Sequence, residues 1–203
     1  MKVSERVIQR LVLYRKILQN LLADGVTKIY SHSLGDFVDS TPAQVRRDIM
    51  NIGYKGTPAH GYEISLLISG ISDFVDPPQI RNVCIIGLGN LGKAILDYCD
   101  KRNSKIKIID AFDKDLSKIN IEINGCMSYH INELETKIKE DGIELAILSV
   151  PITEAQAIAE RLIRSGIKGI LNYSPIELRL PESIYVENRD MMLALEKVAY
   201  FAQ

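Results

Sequence analysis

The chain has 203 residues, of which 46% are hydrophobic and 25% charged, and its formal net charge is −1. That balance excludes a disordered chain, which lacks apolar surface to bury, and the apolar runs are too short for a membrane span. A near-neutral charge gives no overall support for nucleic-acid binding, although a small basic footprint can hide inside one domain. The start, Met1-Lys2-Val3-Ser4-Glu5-Arg6, lacks the apolar core of a secretory signal, so a cytoplasmic protein is expected. Cys84, Cys99 and Cys126 are widely spaced with no CxxC pair, which predicts reduced thiols. His32, His60 and His130 are isolated, so no metal site is expected.

Val7, Leu11, Tyr14, Leu18 and Leu21 recur at three- and four-residue steps and predict a long amphipathic helix, ended by Gly25. A short helix is expected over 33–38. Thr41 then suits an N-cap, Pro42 the first helical position and Gln44 the partner in a capping box. Two short helices joined by a tight turn form a helix-turn-helix. Val45, Ile49 and Ile52 would face inward, and Ala43, Gln44, Arg46, Arg47 and Met50 mostly outward. Arginine can fork onto guanine, Gln44 can pair with adenine, and either can hold a phosphate. The same pattern also fits a small helical dimerisation domain with two solvated arginines. Residues 53–62 are rich in Gly and Pro and read as the loop of a β-hairpin wing, with Lys55 and His60 in it. Helical spacing returns over 64–74. Asp76-Pro77-Pro78 reads as a linker between two domains.

The second domain opens with an apolar run, Val83-Cys84-Ile85-Ile86, that feeds into Gly87-Leu88-Gly89-Asn90-Leu91-Gly92 and then a helix. In this context GxGxxG is a dinucleotide signature. Gly87 permits the tight turn, Gly89 lets a pyrophosphate approach, and Gly92 lets the helix pack on the strand. The helix start offers free N–H groups to the phosphates. A carboxylate about 20 residues later should bond the adenosine ribose, and Asp110 and Asp113 both qualify. An acid there repels a 2′-phosphate, which favours NAD(H) over NADP(H). Strands and helices keep alternating: a helix over 131–140, a strand over 145–150, a helix capped by Thr153 with Gln156 completing its box, and a strand over 169–172. Ser174 and Pro175 suit the start of another helix; a last strand over 184–187 and a helix over 191–201 follow. This predicts an α/β fold: a doubly wound parallel sheet, with Ser149, Val150, Pro151, Asn172, Tyr173, Ser174 and Pro175 lining the nicotinamide side.

A dehydrogenase needs an acid/base and a substrate pocket, and neither is evident. NAD(H) then reads as a ligand that shifts a conformational equilibrium, with no catalytic residue. Two alternatives are a small NAD-dependent oxidoreductase with a helical dimerisation domain, and a nucleotide-binding regulatory subunit that contacts protein.

The chain resembles the redox-sensing transcriptional repressor Rex family. The matching stretches are Arg10-Leu11-Val12-Leu13-Tyr14, Ala43-Gln44-Val45-Arg46-Arg47-Asp48, the glycine loop, Ala111-Phe112-Asp113, Ser117-Lys118-Ile119 and Gly166-Ile167-Lys168-Gly169-Ile170-Leu171-Asn172-Tyr173-Ser174-Pro175. The resemblance implies a winged-helix DNA-binding domain (1–76), a Rossmann NAD(H)-binding domain (79–187) and a C-terminal helix (188–203) swapped onto the partner of a homodimer. It implies repression from palindromic operator DNA at low NADH and release when NADH binds. It implies nucleotide contacts from Gly87, Gly89, Asn90, Leu91, Gly92, Asp113, Lys118, Val150, Pro151, Ser174 and Tyr98, with Met191 inserted into the partner's nucleotide pocket. It favours Asp113 over Asp110 at the ribose. DNA contacts are expected from Thr41, Gln44, Arg46, Arg47, Lys55 and His60. A switch is expected in which Asp190 exchanges between Tyr98 and Lys16, where the family usually has arginine. The family's wing carries Lys/Arg between its glycines; here those positions are Thr57 and Pro58.

Overall fold

The computed structural model describes residues 3–54, 61–100 and 105–202. The chain divides into two compact units, Met1–Pro77 and Pro78–Gln203.

The first unit contains helix α1 (Glu5–Ala23), strand β1 (Lys28–Ile29), helices α2 (Ser31–Asp36) and α3 (Pro42–Asn51), strand β2 (Tyr62–Glu63) and helix α4 (Ile64–Val75). The apolar face of α1 is the buried one: Leu11, Tyr14 and Leu18 pack with Leu34, Val45, Ile49, Leu67 and Ile71. The α2–α3 turn is tight. A Cβ added to Gly35 would stand 2.4 Å from the Ser40 carbonyl oxygen. Thr41 caps α3, its hydroxyl accepting from the Gln44 N–H at 3.2 Å. The expected capping box is only half formed, because the Gln44 amide donates to Asp48 Oδ1 at 2.8 Å. A buried carboxylate is the stronger acceptor.

Asp48 is fully buried. Arg10 grips both of its oxygens, Nε to Oδ2 at 2.6 Å and Nη2 to Oδ1 at 2.8 Å, and the Tyr14 hydroxyl donates to Oδ2 at 3.0 Å. Burial alone would raise this carboxyl, but the hydrogen bonds from Arg10, Gln44 and Tyr14 outweigh it and hold it below its ordinary range. Burial in turn pushes the Tyr14 hydroxyl up to about 12. The cluster locks α3 to α1.

Strand β2 pairs antiparallel with β1, Ile29 opposite Tyr62. Among the described residues the extended segment after the glycine-rich loop therefore joins the strand before α2. Lys55, Thr57, Pro58 and His60 lie outside the described residues.

The second unit runs β3 (Arg81–Ile86), α5 (Asn90–Asp100), β4 (Ile106–Asp113), β5 (Glu122–Ile123), β6 (Cys126–His130), α6 (Leu134–Glu140), β7 (Leu145–Leu148), α7 (Ile152–Arg164), β8 (Gly169–Asn172), β9 (Tyr185–Asn188) and α8 (Met191–Phe201). Among the described residues the strand order is β5-β6-β4-β3-β7-β8-β9. All neighbours are parallel except β5 and β6. Both faces of β3 are covered. Cys84 and Ile86 pack with Ile138 of α6 and Leu162 of α7, and Val83 and Ile85 with Leu96 of α5. Double coverage explains why β3 reads as an unbroken apolar run. The sheet order reverses at β3, which places a crevice beyond its carboxyl end.

Two local expectations are corrected. No helix starts at Ser174; residues 174–176 form a bend. The Ser174 hydroxyl donates to the Val150 carbonyl at 2.8 Å and its N–H to Asn172 Oδ1 at 3.0 Å, so it ties the ends of β7 and β8 together instead. Thr153 is not a cap. Helix α7 begins at Ile152 after Pro151, and the Gln156 side chain pairs with the Arg179 backbone at 3.0 and 3.1 Å.

Asp110 is buried at 4% exposure, and its Oδ2 has no hydrogen-bond partner among the described residues. Burial, and then the charge of Asp141, push its carboxyl up to about 7, while Lys137 opposes. A raised folded-state value favours the neutral acid. The stability it carries is complete below about pH 4 and is lost as pH rises through 7. Asp110→Asn should therefore match the wild type near pH 4 and exceed it by roughly 1–3 kcal/mol at pH 8. Urea titrations at both pH values check this; equal stability at pH 8 would contradict it.

Candidate functional site

The crevice beyond β3 is a cleft of about 490 Å³. Its floor is Ile86, Gly87 and Gly89; Asp113, Lys114 and Lys118 form one wall, and Ser149, Val150, Pro151, Thr153 and Glu154 the other. The three glycines of the loop differ in role. Gly87 has φ +96°, and a Cβ there would meet the Ser149 carbonyl oxygen at 2.4 Å. A Cβ on Gly92 would sit 1.9 Å from the Gly87 carbonyl oxygen, so helix and loop touch through bare backbone. Gly89 is exposed, and nothing lies within 4 Å of an added Cβ. Among the described residues nothing requires glycine at position 89, and its bare backbone leaves room for a ligand to approach. The cleft therefore fits the pyrophosphate of a dinucleotide.

Asp113 closes the loop from β4. Its Oδ2 accepts from the Leu88 N–H at 2.7 Å and its Oδ1 from the Asp115 N–H at 2.9 Å. Lys118 stands 3.6 Å from Asp113 and 3.3 Å from Asp115. A carboxylate has about four acceptor positions, so Asp113 keeps capacity for ribose hydroxyls. Asp110 does not line this cleft. The two carboxylates left open by spacing are thus separated by position.

The cleft brings together Gly87, Gly89, Asp113, Lys118, Val150 and Pro151 of the predicted set. Asn90, Leu91 and Gly92 form the first turn of α5 beside it. Ser174, Tyr98 and Met191 are not among its lining residues. Tyr98 is exposed near the far end of α5, and Met191 is exposed at the start of α8. Lys114 and Glu154 carried no expectation; they form an ion pair from opposite walls. Only the sheet order shows that a residue after β4 and one in α7 face each other. Arg161, also lining the cleft, is held by Glu135 at 2.6 Å.

The thiols of Cys84 and Cys126 are poor redox groups. Burial pushes Cys84 well above its ordinary value and Cys126 up to about 12. Among the described residues no cluster of side chains suits a metal.

On the first unit, Arg47 and Met50 are exposed on α3, while Arg46 is half-buried and donates to Ser31 Oγ at 3.0 Å. Lys16 is exposed on α1. At the other end of the chain, Asp190 Oδ1 caps α8, accepting from the Met192 and Leu193 N–H groups at 2.8 and 3.2 Å. No described residue of α8 is buried, although Leu193, Leu195, Val198, Tyr200 and Phe201 lie along it. No helix of the described residues is long and apolar enough to cross a membrane.

A helix-turn-helix unit joined to a Rossmann unit with a dinucleotide cleft defines a transcriptional regulator that carries a nucleotide site. Residues 2–49 match the family model "Putative DNA-binding protein N-terminus", and residues 78–176 match the CoA binding domain model. The chain is 40% identical over 200 residues to the redox-sensing transcriptional repressor Rex of Geobacillus sp. (strain WCH70), covering 98% of this chain and 93% of that one. It is 38% identical to Rex of Bacillus subtilis (strain 168), covering 98% and 92%. The crystal structure of RSP, a Rex-family repressor, in complex with β-NAD⁺ and operator DNA superposes with a TM-score of 0.90 at 32% identity, covering 100% of this chain and 93% of that one. RSP in complex with β-NADH gives 0.89 at 32% identity, covering 100% and 95%. The chain belongs to the Rex family of redox-sensing transcriptional repressors.

Proposed function

We propose that this chain is an operator-binding repressor that senses the NADH/NAD⁺ ratio, holding palindromic duplex DNA at low NADH and releasing it when NADH fills the cleft. The observation that carries this reading is the dinucleotide-shaped glycine loop on the same chain as a capped helix-turn-helix. The relative RSP, crystallised with β-NADH and separately with β-NAD⁺ and operator DNA, supports it. Gly87, Gly89 and the first turn of α5 (Asn90, Leu91, Gly92) hold the pyrophosphate through backbone N–H groups. Asp113 takes the adenosine ribose, with Lys118 beside it. Val150 and Pro151 flank the nicotinamide, and Ser174 fixes the Val150 loop. Thr41, Gln44, Arg46 and Arg47 read or hold the DNA, with Lys55 and His60 from the wing.

The domains are 1–76, 79–187 and a swapped helix, 188–203. An apolar helix with no buried residue is a docking element, so α8 packs on the second copy of a homodimer, with Met191 entering the partner's cleft. Asp190 then exchanges between Tyr98 and Lys16 as the ligand state changes. The protein is a regulator and not an enzyme. It acts in the cytoplasm.

The test uses an operator duplex that this protein selects from a random-sequence pool. NADH should weaken that complex at least tenfold, about 1.4 kcal/mol of coupling, and NAD⁺ should not. NADH that binds the protein and leaves the complex intact would refute sensing. Steady oxidation of NADH with a carbonyl substrate would point to an oxidoreductase.

A further inference from the structure

Ser31, which anchors Arg46, sits between two aromatic side chains. Tyr30 and His32 stack with ring centroids 5.5 Å apart and planes inclined by 19°. Both are exposed, Tyr30 at 45%. Behind Tyr30 lies Gly61, where an added Cβ would come within 3.4 Å of the ring. The Tyr30 ring therefore lies close over Gly61, just before β2, and stacks on a histidine next in sequence to the serine that holds Arg46. An exposed stacked pair buries little apolar surface and costs side-chain entropy to order, so it is a weak stabilising device. What it does supply is an oriented imidazole on an exposed residue, whose ring N–H is a hydrogen-bond donor.

In helix-turn-helix docking the second helix enters the major groove while the first crosses the sugar–phosphate backbone. A donor where the two helices meet, next to a recognition-helix arginine, faces a phosphate. We propose that His32, stacked on the Tyr30 ring and next in sequence to the serine that holds Arg46, donates a hydrogen bond to the DNA phosphate backbone and is a further DNA-binding residue of this chain. This rests on the operator-binding reading above. It also supplies a phosphate contact to a chain whose wing carries Thr57-Pro58 between its glycines.

The experiment measures full-length protein by fluorescence anisotropy on two duplexes. One is the operator selected from a random pool, and the other is an unrelated duplex at low salt. His32→Ala should weaken binding about 5- to 10-fold on both alike, because a phosphate contact carries no sequence information. Tyr30→Leu should cause a similar loss with His32 still present. His32→Gln, which restores a donor, should recover part of the affinity. NADH affinity should be unchanged in all three. Undiminished binding by His32→Ala, with Arg46→Ala impaired, overturns the His32 assignment alone. Undiminished binding by both variants removes this face of α2 and α3 from the DNA interface and the His32 assignment with it, whereas failure of the wild type to bind either duplex overturns the operator reading beneath it. A loss confined to the selected operator overturns the phosphate assignment.

Discussion

Asp48→Ala is expected to destabilise the first unit by roughly 3 kcal/mol, toward the lower end for breaking a buried ion pair. The removed carboxylate accepts four hydrogen bonds, two from Arg10 and one each from Gln44 and Tyr14. Its loss leaves the Tyr14 hydroxyl buried without an acceptor and strands the Arg10 charge, 25% exposed, which softens the cost through solvent. The cluster joins residues 38 positions apart, so its loss frees α3 from α1. Operator binding should fall with the fold, while NADH binding by the second unit should persist. Thermal melts read together with NADH titration check this. Loss of NADH binding in step with DNA binding would mean that the units do not fold independently. The same carboxyl, held below its ordinary range, carries stability that is present at neutral pH and lost as pH falls through its folded-state value.

Asp113→Ala is expected to weaken NADH binding about 100-fold, the size of two lost charge-assisted hydrogen bonds to ribose hydroxyls. The structure adds a second cause. Asp113 also anchors the glycine loop through the Leu88 N–H at 2.7 Å, so its removal loosens the floor of the cleft. The variant should stay on its operator at NADH concentrations that release the wild type. Asp110→Asn is the control, and its NADH affinity should change less than about twofold, since it touches nothing in the cleft. Calorimetric titration of both variants decides between the two carboxylates. Unchanged affinity in Asp113→Ala would remove it from the ribose.

The glycine loop was legible because its requirements are local. A strand, a tight turn and a helix start lie within a few residues, and the backbone contacts at Gly87 and Gly92 follow from that geometry. The α3 cap was legible for the same reason. Ser174 misled, since Ser-Pro after a strand has the chemistry of a helix start. Its bonds to Val150 and Asn172 come from the ends of two neighbouring strands, and the segment is a bend. Gln44 misled in the same way: the box was sterically available, but a buried carboxylate one turn later competes better for the amide. Asp48 itself lay inside a matching stretch, as Arg10 and Tyr14 did in another. The two stretches are the halves of one cluster, which their separation in sequence conceals.

The opening charge of −1 weighed against nucleic acid because it averages over the chain. Periodicity, capping residues and the glycine spacing by themselves determined a helix-turn-helix, a parallel α/β sheet and a dinucleotide loop, because these depend on contacts between near neighbours in the chain. Spacing left Asp110 and Asp113 both open and only the resemblance favoured Asp113; the tertiary structure adds that Asp113 lines the cleft while Asp110 is sealed in the sheet. It also decided that Lys114 meets Glu154 across the cleft, and that Arg46 of α3 bonds Ser31 of α2. Those relations depend on which strands and helices become neighbours, and residue spacing carries no record of that.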